Sequence, residues 1–151
     1  MLKKILIANR GEIARRINKT AQRLGIKTVV IYSDIDKDTA FTSEANVAIP
    51  LSHFSKNPSY LNGDLIIKAM LETNSEAVHP GYGFLSENAY FANKVNKAGL
   101  VFVGPSSKII RSMGLKNKAK EIVQKLGIQT IPGYSNSCQD VKLYRKEAKK
   151  L

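Results

Sequence analysis

The chain has 151 residues, 43% of them hydrophobic, which suits one domain with a real core. No apolar run approaches the ~20 residues needed to span a bilayer. The single cysteine excludes an internal disulfide and a cysteine metal cluster, and fits a reducing cytoplasm. Lys and Arg number 24 against 12 Asp and Glu, a net charge of +12, so nucleic acid has to be weighed as a partner. Most of the excess is lysine spread over several helices. That pattern reads as a solvated surface whose field attracts anionic substrates.

In chain order, residues 3–8 are a short apolar run suited to a strand buried on both faces. The basic start at Met1 precedes too short an apolar core for a signal peptide. A helix is predicted over 12–24, with Ile13, Ile17, Ala21 and Leu24 on one stripe and Gly25 as its stop. Glu12 and Arg16 stand one turn apart on a neighbouring polar stripe and can pair. A second strand over 27–32 completes a rhythm that argues a right-handed βαβ unit in a parallel sheet. The acidic turn at 33–38 invites a ribose-binding reading. It fails on the glycines, because Asn9-Arg10-Gly11-Glu12 has one where a dinucleotide fingerprint has three. Asp34 and Asp36 are therefore expected to be solvated turn residues.

A short helix over 39–45 and a brief strand over 46–49 follow, and 51–62, with Pro58, reads as loop. Asn62 is placed to cap a helix over 63–73 that turns Leu65, Ile66, Ala69 and Met70 inward. Further strands are predicted over 76–79 and 100–103, with a helix over 87–97 between them. Ser106 or Ser107 should cap a helix carrying Ile109, Ile110 and Met113, and another helix spans 116–126. Residues 128–133 could enter a strand, 135–139 read as linker, and 141–151 as a basic helix. The pattern gives an α/β class: a Rossmann-like parallel sheet flanked by helices, with Ile5, Ile7, Val29, Ile31, Val78, Val101 and Val103 in its core.

The most informative stretch is 77–88, a strand that turns sharply into a helix start. Residues 79–82 suit a type II turn, because Pro80 fixes φ at its second position and Gly81 supplies positive φ at its third. Ser86 is expected to cap the following helix, with Leu85 packing on Tyr90 as a hydrophobic staple. Gly83 leaves an amide open to close approach, and Tyr82 offers a hydroxyl and a flat apolar face. His79 could act as a base, but a buried strand-end histidine is more often structural.

Three stretches come in the order and spacing of one family: Ala8-Asn9-Arg10-Gly11-Glu12-Ile13-Ala14, then 79–88, then Met113-Gly114-Leu115-Lys116. On these the chain resembles the N-terminal domain of the biotin carboxylases, the ATP-grasp subunit or domain of acetyl-CoA, propionyl-CoA and pyruvate carboxylases. The resemblance implies a domain of that type over 1–112 and the helical start of an ATP-grasp domain over 113–151. It implies ATP, Mg²⁺ and biotin as cofactors of the intact enzyme, with bicarbonate activated as carboxyphosphate before transfer to biotin. Lys116 would contact the nucleotide, and His79, Tyr82 and Gly83 would border biotin or bicarbonate. Asn9, Arg10, Gly11, Glu12 and Arg16 would support the sheet edge and subunit contacts. The implied partners are the remainder of the carboxylase, a biotin carboxyl carrier protein and a second copy in a homodimer. No catalytic residue and no metal ligand is assigned on this chain.

The sequence departs from the family at Leu115, where an acid is usual, and at Ser43-Glu44-Ala45, where Ala-Asp-Glu is common. A second nucleotide-binding lysine, a glycine-rich lid and acidic Mg²⁺ ligands are not among the 151 residues. The chain alone is therefore expected to be catalytically incomplete, as a fragment, a truncated product or a piece of a split enzyme. Without the resemblance, Lys116 reads as an exposed lysine. The alternatives are a non-catalytic nucleotide-binding or dimerisation module and, lowest, a basic nucleic-acid-binding protein, which lacks interleaved aromatic and basic residues.

Overall fold

Ile5, Leu6 and Ile7 follow one another without a polar break, and all three are buried. A strand with no solvent face belongs inside a sheet. In the computed structural model, which describes residues 2–134, 138 and 140–149, that strand is β1 (Lys4–Ile7). It lies at the centre of five parallel strands in the order β3–β2–β1–β4–β5. The others are β2 (Lys27–Tyr32), β3 (Val47–Pro50), β4 (Ala77–His79) and β5 (Val101–Phe102). Leu6 pairs with Val29 on one side and with Val78 on the other. The strand order reverses between β1 and β4, the position where open α/β sheets form a ligand crevice at the strands' carboxyl ends.

Helices α1 (Gly11–Arg23), α2 (Ala40–Ser43), α3 (Gly63–Glu72) and α4 (Ala89–Lys97) complete the unit spanning Met1–Ser107. Ile5, Ile7 and Val30 cluster with Ala14 and Ala21 of α1, Phe41 of α2 and Ala77. Side chains alternate across a strand, so Leu6 and Val29 point to the opposite face. Helices α3 and α4 bury Ile66, Met70, Phe91 and Val95. Each such fully buried side chain contributes roughly 1.5–3 kcal/mol. An ion pair of Arg15 with Glu44, together with Asn18 and Gln22 donating to the Glu44 carbonyl at 2.9 and 2.8 Å, ties α1 to the end of α2.

The second unit, Lys108–Leu151, contains most of α5 (Ser107–Met113) together with α6 (Lys116–Lys125) and α7 (Val141–Ala148). Neither α6 nor α7 buries a side chain completely. Tyr134 meets Tyr144 edge to face, with ring centroids 5.4 Å apart. Residues 128–134 form no strand, contrary to the sequence expectation, and most of the expected 135–139 linker lies outside the described residues.

Several local expectations are corrected by the tertiary arrangement. Helix α4 starts two residues later than predicted, capped by the Asn88 side chain accepting from Phe91 N–H at 2.9 Å, and not by Ser86. Residues 83–88 instead make two successive turns, Ser86 N–H to Gly83 O at 2.9 Å and Asn88 N–H to Leu85 O at 3.1 Å. With Asn88 as the cap, the staple positions fall on Glu87 and Ala92, so the buried Leu85 and the exposed Tyr90 no longer stand in them. Glu12 and Arg16 are not among the ion pairs of the described residues. Val101 is 47% exposed and Phe102 takes its place in the core, because β5 is a two-residue edge strand. By contrast, Asn62 caps α3 as expected, accepting from Asp64 and Leu65 N–H at 3.1 and 3.3 Å.

Asn88→Ala should lower stability by about 1 kcal/mol through loss of the cap. Ser86→Ala should stay within about 0.5 kcal/mol, since its hydroxyl does not cap the helix. Urea denaturation of both variants checks the assignment, and the reverse ranking would return the cap to Ser86.

Candidate functional site

The residues that follow β1 decide how the crevice is built. Ala8 is buried, and its N–H donates to the His79 carbonyl at 2.9 Å, which extends the β1–β4 ladder into the turn. Asn9 comes next, fully buried, with its side chain turned toward the segment after β4. Asn9 Nδ2 donates to the Pro80 carbonyl at 2.8 Å and to the Tyr82 carbonyl at 2.9 Å, while its Oδ1 accepts from Arg10 N–H at 2.9 Å.

The 79–83 turn is therefore fastened from beneath. Gly81 has φ +66°, as the third position of a type II turn requires, and Gly83 has φ +68°. Within the chain, the tight packing of this turn is at Gly81, and the space at Gly83 is open. A Cβ at Gly81 would stand 2.6 Å from Asn9 Nδ2 and 2.7 Å from Ile13 Cγ2, whereas one at Gly83 would meet nothing within 4 Å. His79 Nδ1 accepts from Gly81 N–H at 3.1 Å, and burial lowers the ring's pKa. The histidine is thus a neutral acceptor that shapes the turn, which supports its structural reading.

Beside the turn is a cleft of about 480 Å³ with largely apolar walls. Ile13, Arg16 and Ile17 of α1 line it together with His79, Gly81 and Tyr82. Arg16, which the sequence assigned to subunit contact, thus shares one surface with His79 and Tyr82, which it assigned to substrate. Tyr82 is 60% exposed and offers its ring and hydroxyl to solvent. Asn9, Arg10, Gly11, Glu12 and Gly83 do not line the cleft. Asn9 supports the turn, Arg10 and Gly11 open α1, and Glu12 is exposed in its first turn.

Asp36 is the residue that sequence reasoning misjudged. It is buried at 2% exposure, not solvated. Arg10 grips both carboxylate oxygens, through Nε at 2.8 Å to Oδ2 and through Nη2 to Oδ1. The Ser33 and Tyr60 hydroxyls also donate to Oδ2, at 2.9 and 2.8 Å. The Arg10 guanidinium holds the carboxyl below its ordinary pKa. Burial, aided by the Asp36 bond, pushes the Tyr60 phenol up to about 12. No local signal marks this burial, because the partners Tyr60 and Arg10 lie 24 and 26 residues away in the chain. Asp34 is exposed, as expected.

Lys116 is exposed at the first residue of α6, where a cation gains nothing from the helix dipole. Among the described residues, no three His, Cys, Asp or Glu side chains are grouped to hold a metal ion. No helix among the described residues is long and apolar enough to cross a membrane.

Asp36→Asn should destabilise the protein by on the order of 2 kcal/mol at neutral pH. Because the folded pKa is depressed, the carboxylate's contribution is present above its ordinary range and disappears as pH falls through the lowered value. The gap between variant and parent should therefore close below about pH 4. The phenol behaves in the opposite sense: its raised pKa contributes stability below about pH 10 that is lost as pH rises toward 12. Urea midpoints across pH, with an ultraviolet phenolate titration of Tyr60→Phe against the parent, check both.

The family model for "Biotin carboxylase, N-terminal domain" matches residues 1–110. The chain is 44% identical over 151 residues to biotin carboxylase 2 of Bacillus subtilis, covering all of this chain and 34% of that protein. It is 45% identical over 150 residues to the mitochondrial methylcrotonoyl-CoA carboxylase subunit alpha of Glycine max, covering 99% of this chain and 20% of that one. Its structure superposes with a TM-score of 0.92, at 41% identity, on the biotin carboxylase domain dimer of the Hydrogenobacter thermophilus 2-oxoglutarate carboxylase in complex with MgADP, ADP and bicarbonate. That match covers 99% of this chain and 33% of the other. The chain thus spans about a third or less of the relatives it matches. By the match over residues 1–110 and by its sheet, the chain belongs to the biotin carboxylase N-terminal domain family.

Proposed function

We propose that this chain forms one wall of the carboxylation site of a biotin carboxylase, an enzyme that uses ATP and bicarbonate to carboxylate biotin on a carrier protein. The observation that carries this reading is the 79–83 turn, fastened by Asn9 at the point where the strand order reverses. Tyr82 and Gly83 contact biotin or bicarbonate, the first through its hydroxyl and the second through its amide. Residues 113–151 begin the ATP-grasp domain, and Lys116 offsets charge on the nucleotide phosphates. The relative crystallised with MgADP and bicarbonate supports this ligand set. Mg²⁺ ligands come from elsewhere in the assembled enzyme, whose other parts and carrier protein are this chain's partners. A reducing cytoplasm, read from the single cysteine, remains part of the reading.

A second reading, as a dimerisation module, is favoured by one observation. The cleft exposes an apolar face of α1, with Leu24 63% exposed at its rim and Arg16 beside it. A homodimer contact there is compatible with the carboxylase reading and is expected alongside it.

The purified chain should show no bicarbonate-dependent ATP cleavage; measurable turnover would overturn the proposed division of labour. In an enzyme assembled with a complementary ATP-grasp chain, Gly83→Ala should cost about 1 kcal/mol of stability through its positive φ, with open space for the methyl. Carboxylation should fall well beyond that loss, with ATP binding retained. Tyr82→Phe, which keeps the ring and deletes the hydroxyl, should act likewise with an unchanged thermal midpoint. Activity that merely follows folding in both variants decides for a structural turn. Lys116→Ala should raise the KM for ATP, and an unaffected KM and kcat would return it to the solvated surface.

A further inference from the structure

The site turn is fastened at both ends. Its first half hangs on Asn9 through the Pro80 and Tyr82 carbonyls. Its second half ends in Phe84, whose φ of +39° is unusual for a bulky side chain. Such a residue persists only where its surroundings hold it, at a cost of roughly 1–3 kcal/mol. The ring of Phe84 stacks on that of Tyr60, with centroids 5.3 Å apart and planes inclined by 22°. Tyr60 is in turn fixed through its hydroxyl, which donates to Asp36 Oδ2 at 2.8 Å and accepts from Ser33 N–H at 3.1 Å. Asp36 is held by Arg10, and the Arg10 N–H is held by Asn9. The contacts close into a ring that runs from Asn9 through the turn to Phe84, Tyr60, Asp36 and Arg10, and back to Asn9.

We propose that Asp36 and Tyr60 are positioning residues for the turn: by holding Phe84 in its left-handed conformation they set where Tyr82 and Gly83 stand. The proposal rests on the reading of those two residues as the wall of the carboxylation site. Asp36 and Tyr60 are both buried, and both act on the turn through Phe84. The Tyr60 hydroxyl is engaged both as donor and as acceptor. That hydroxyl locks the ring in the one orientation that supports Phe84.

Hydrogen exchange on the full chain tests this, read at the Ser86 and Asn88 amides, which bond within the turn, and at the distant Ile26 amide, which bonds to Ala21 O. Tyr60→Leu should speed exchange at Ser86 and Asn88 about tenfold and leave Ile26 unchanged. Phe84→Leu should do the same, and the double variant should add little, as expected when two residues share one interaction. Tyr60→Phe keeps the stacked ring and should loosen the turn less, which also covers the case in which Asp36→Asn fails to fold. In the enzyme assembled with an ATP-grasp chain, Tyr60→Phe should weaken carboxylation of biotin with the KM for ATP unchanged. Unchanged protection at both turn amides, or loosening shared equally with Ile26, overturns the proposal. Loosening confined to the turn with carboxylation untouched overturns the reading of the turn as a site wall, and with it any positioning role in catalysis.

Discussion

The structure depends on one buried side chain amide. Asn9 leaves β1 with no exposure to water, and a polar group so placed costs about 1–3 kcal/mol for each hydrogen bond left unmade. Its three bonds are all to backbone atoms, two of them 71 and 73 residues further along the chain. The two central strands could pair without it. The loop that follows β4 could not then be held against the start of α1, and the space between them would not be a defined cleft. Gly81 is the complement to this arrangement, since a methyl group there would collide with the same amide.

The ionic part of the structure sits behind the apolar part. The chain as a whole carries +12, but the cleft walls are mainly aliphatic, with Arg16 as their charged member. A field of that sign draws anions toward the molecule, while an apolar wall discriminates by shape. The buried carboxylate of Asp36 serves a different end. Paired with Arg10 and bonded by two hydroxyls, it is a satisfied charge that joins the loop after β2 to the start of α1. Removing one partner of such a group is costly because the others are left in place without it. The same network reaches Phe84 through the Tyr60 ring, so contacts run from the loop after β2 through the loop after β3 to the loop after β4.

Local chemistry made much of the chain legible. The apolar run at 3–8, the stripe of Ile13, Ile17 and Ala21, the Asn62 cap and the Pro80-Gly81 turn each follow from periods and propensities that act within a few residues. Those elements are found where the sequence puts them, to within one or two positions. The motif at 79–88 carried the family because its residues are contiguous. The apolar alternation of strands and helices was likewise enough to give a parallel α/β sheet.

Tertiary structure alone decided the rest. A strand's sequence does not state which strand lies beside it, and the order β3–β2–β1–β4–β5 is what brings Asn9 under the turn and sets Arg16 and Tyr82 on one cleft. Asp36 reads as solvated because its burial depends on Arg10 and Tyr60, which lie 26 and 24 residues away. Val101 reads as core because an apolar residue does not reveal that its strand lies at an edge. Ser86 and Asn88 are equally good caps by type, and the two turns after Gly83 select Asn88. Residues near in sequence wrote the elements; the neighbours each strand acquired on folding built the site.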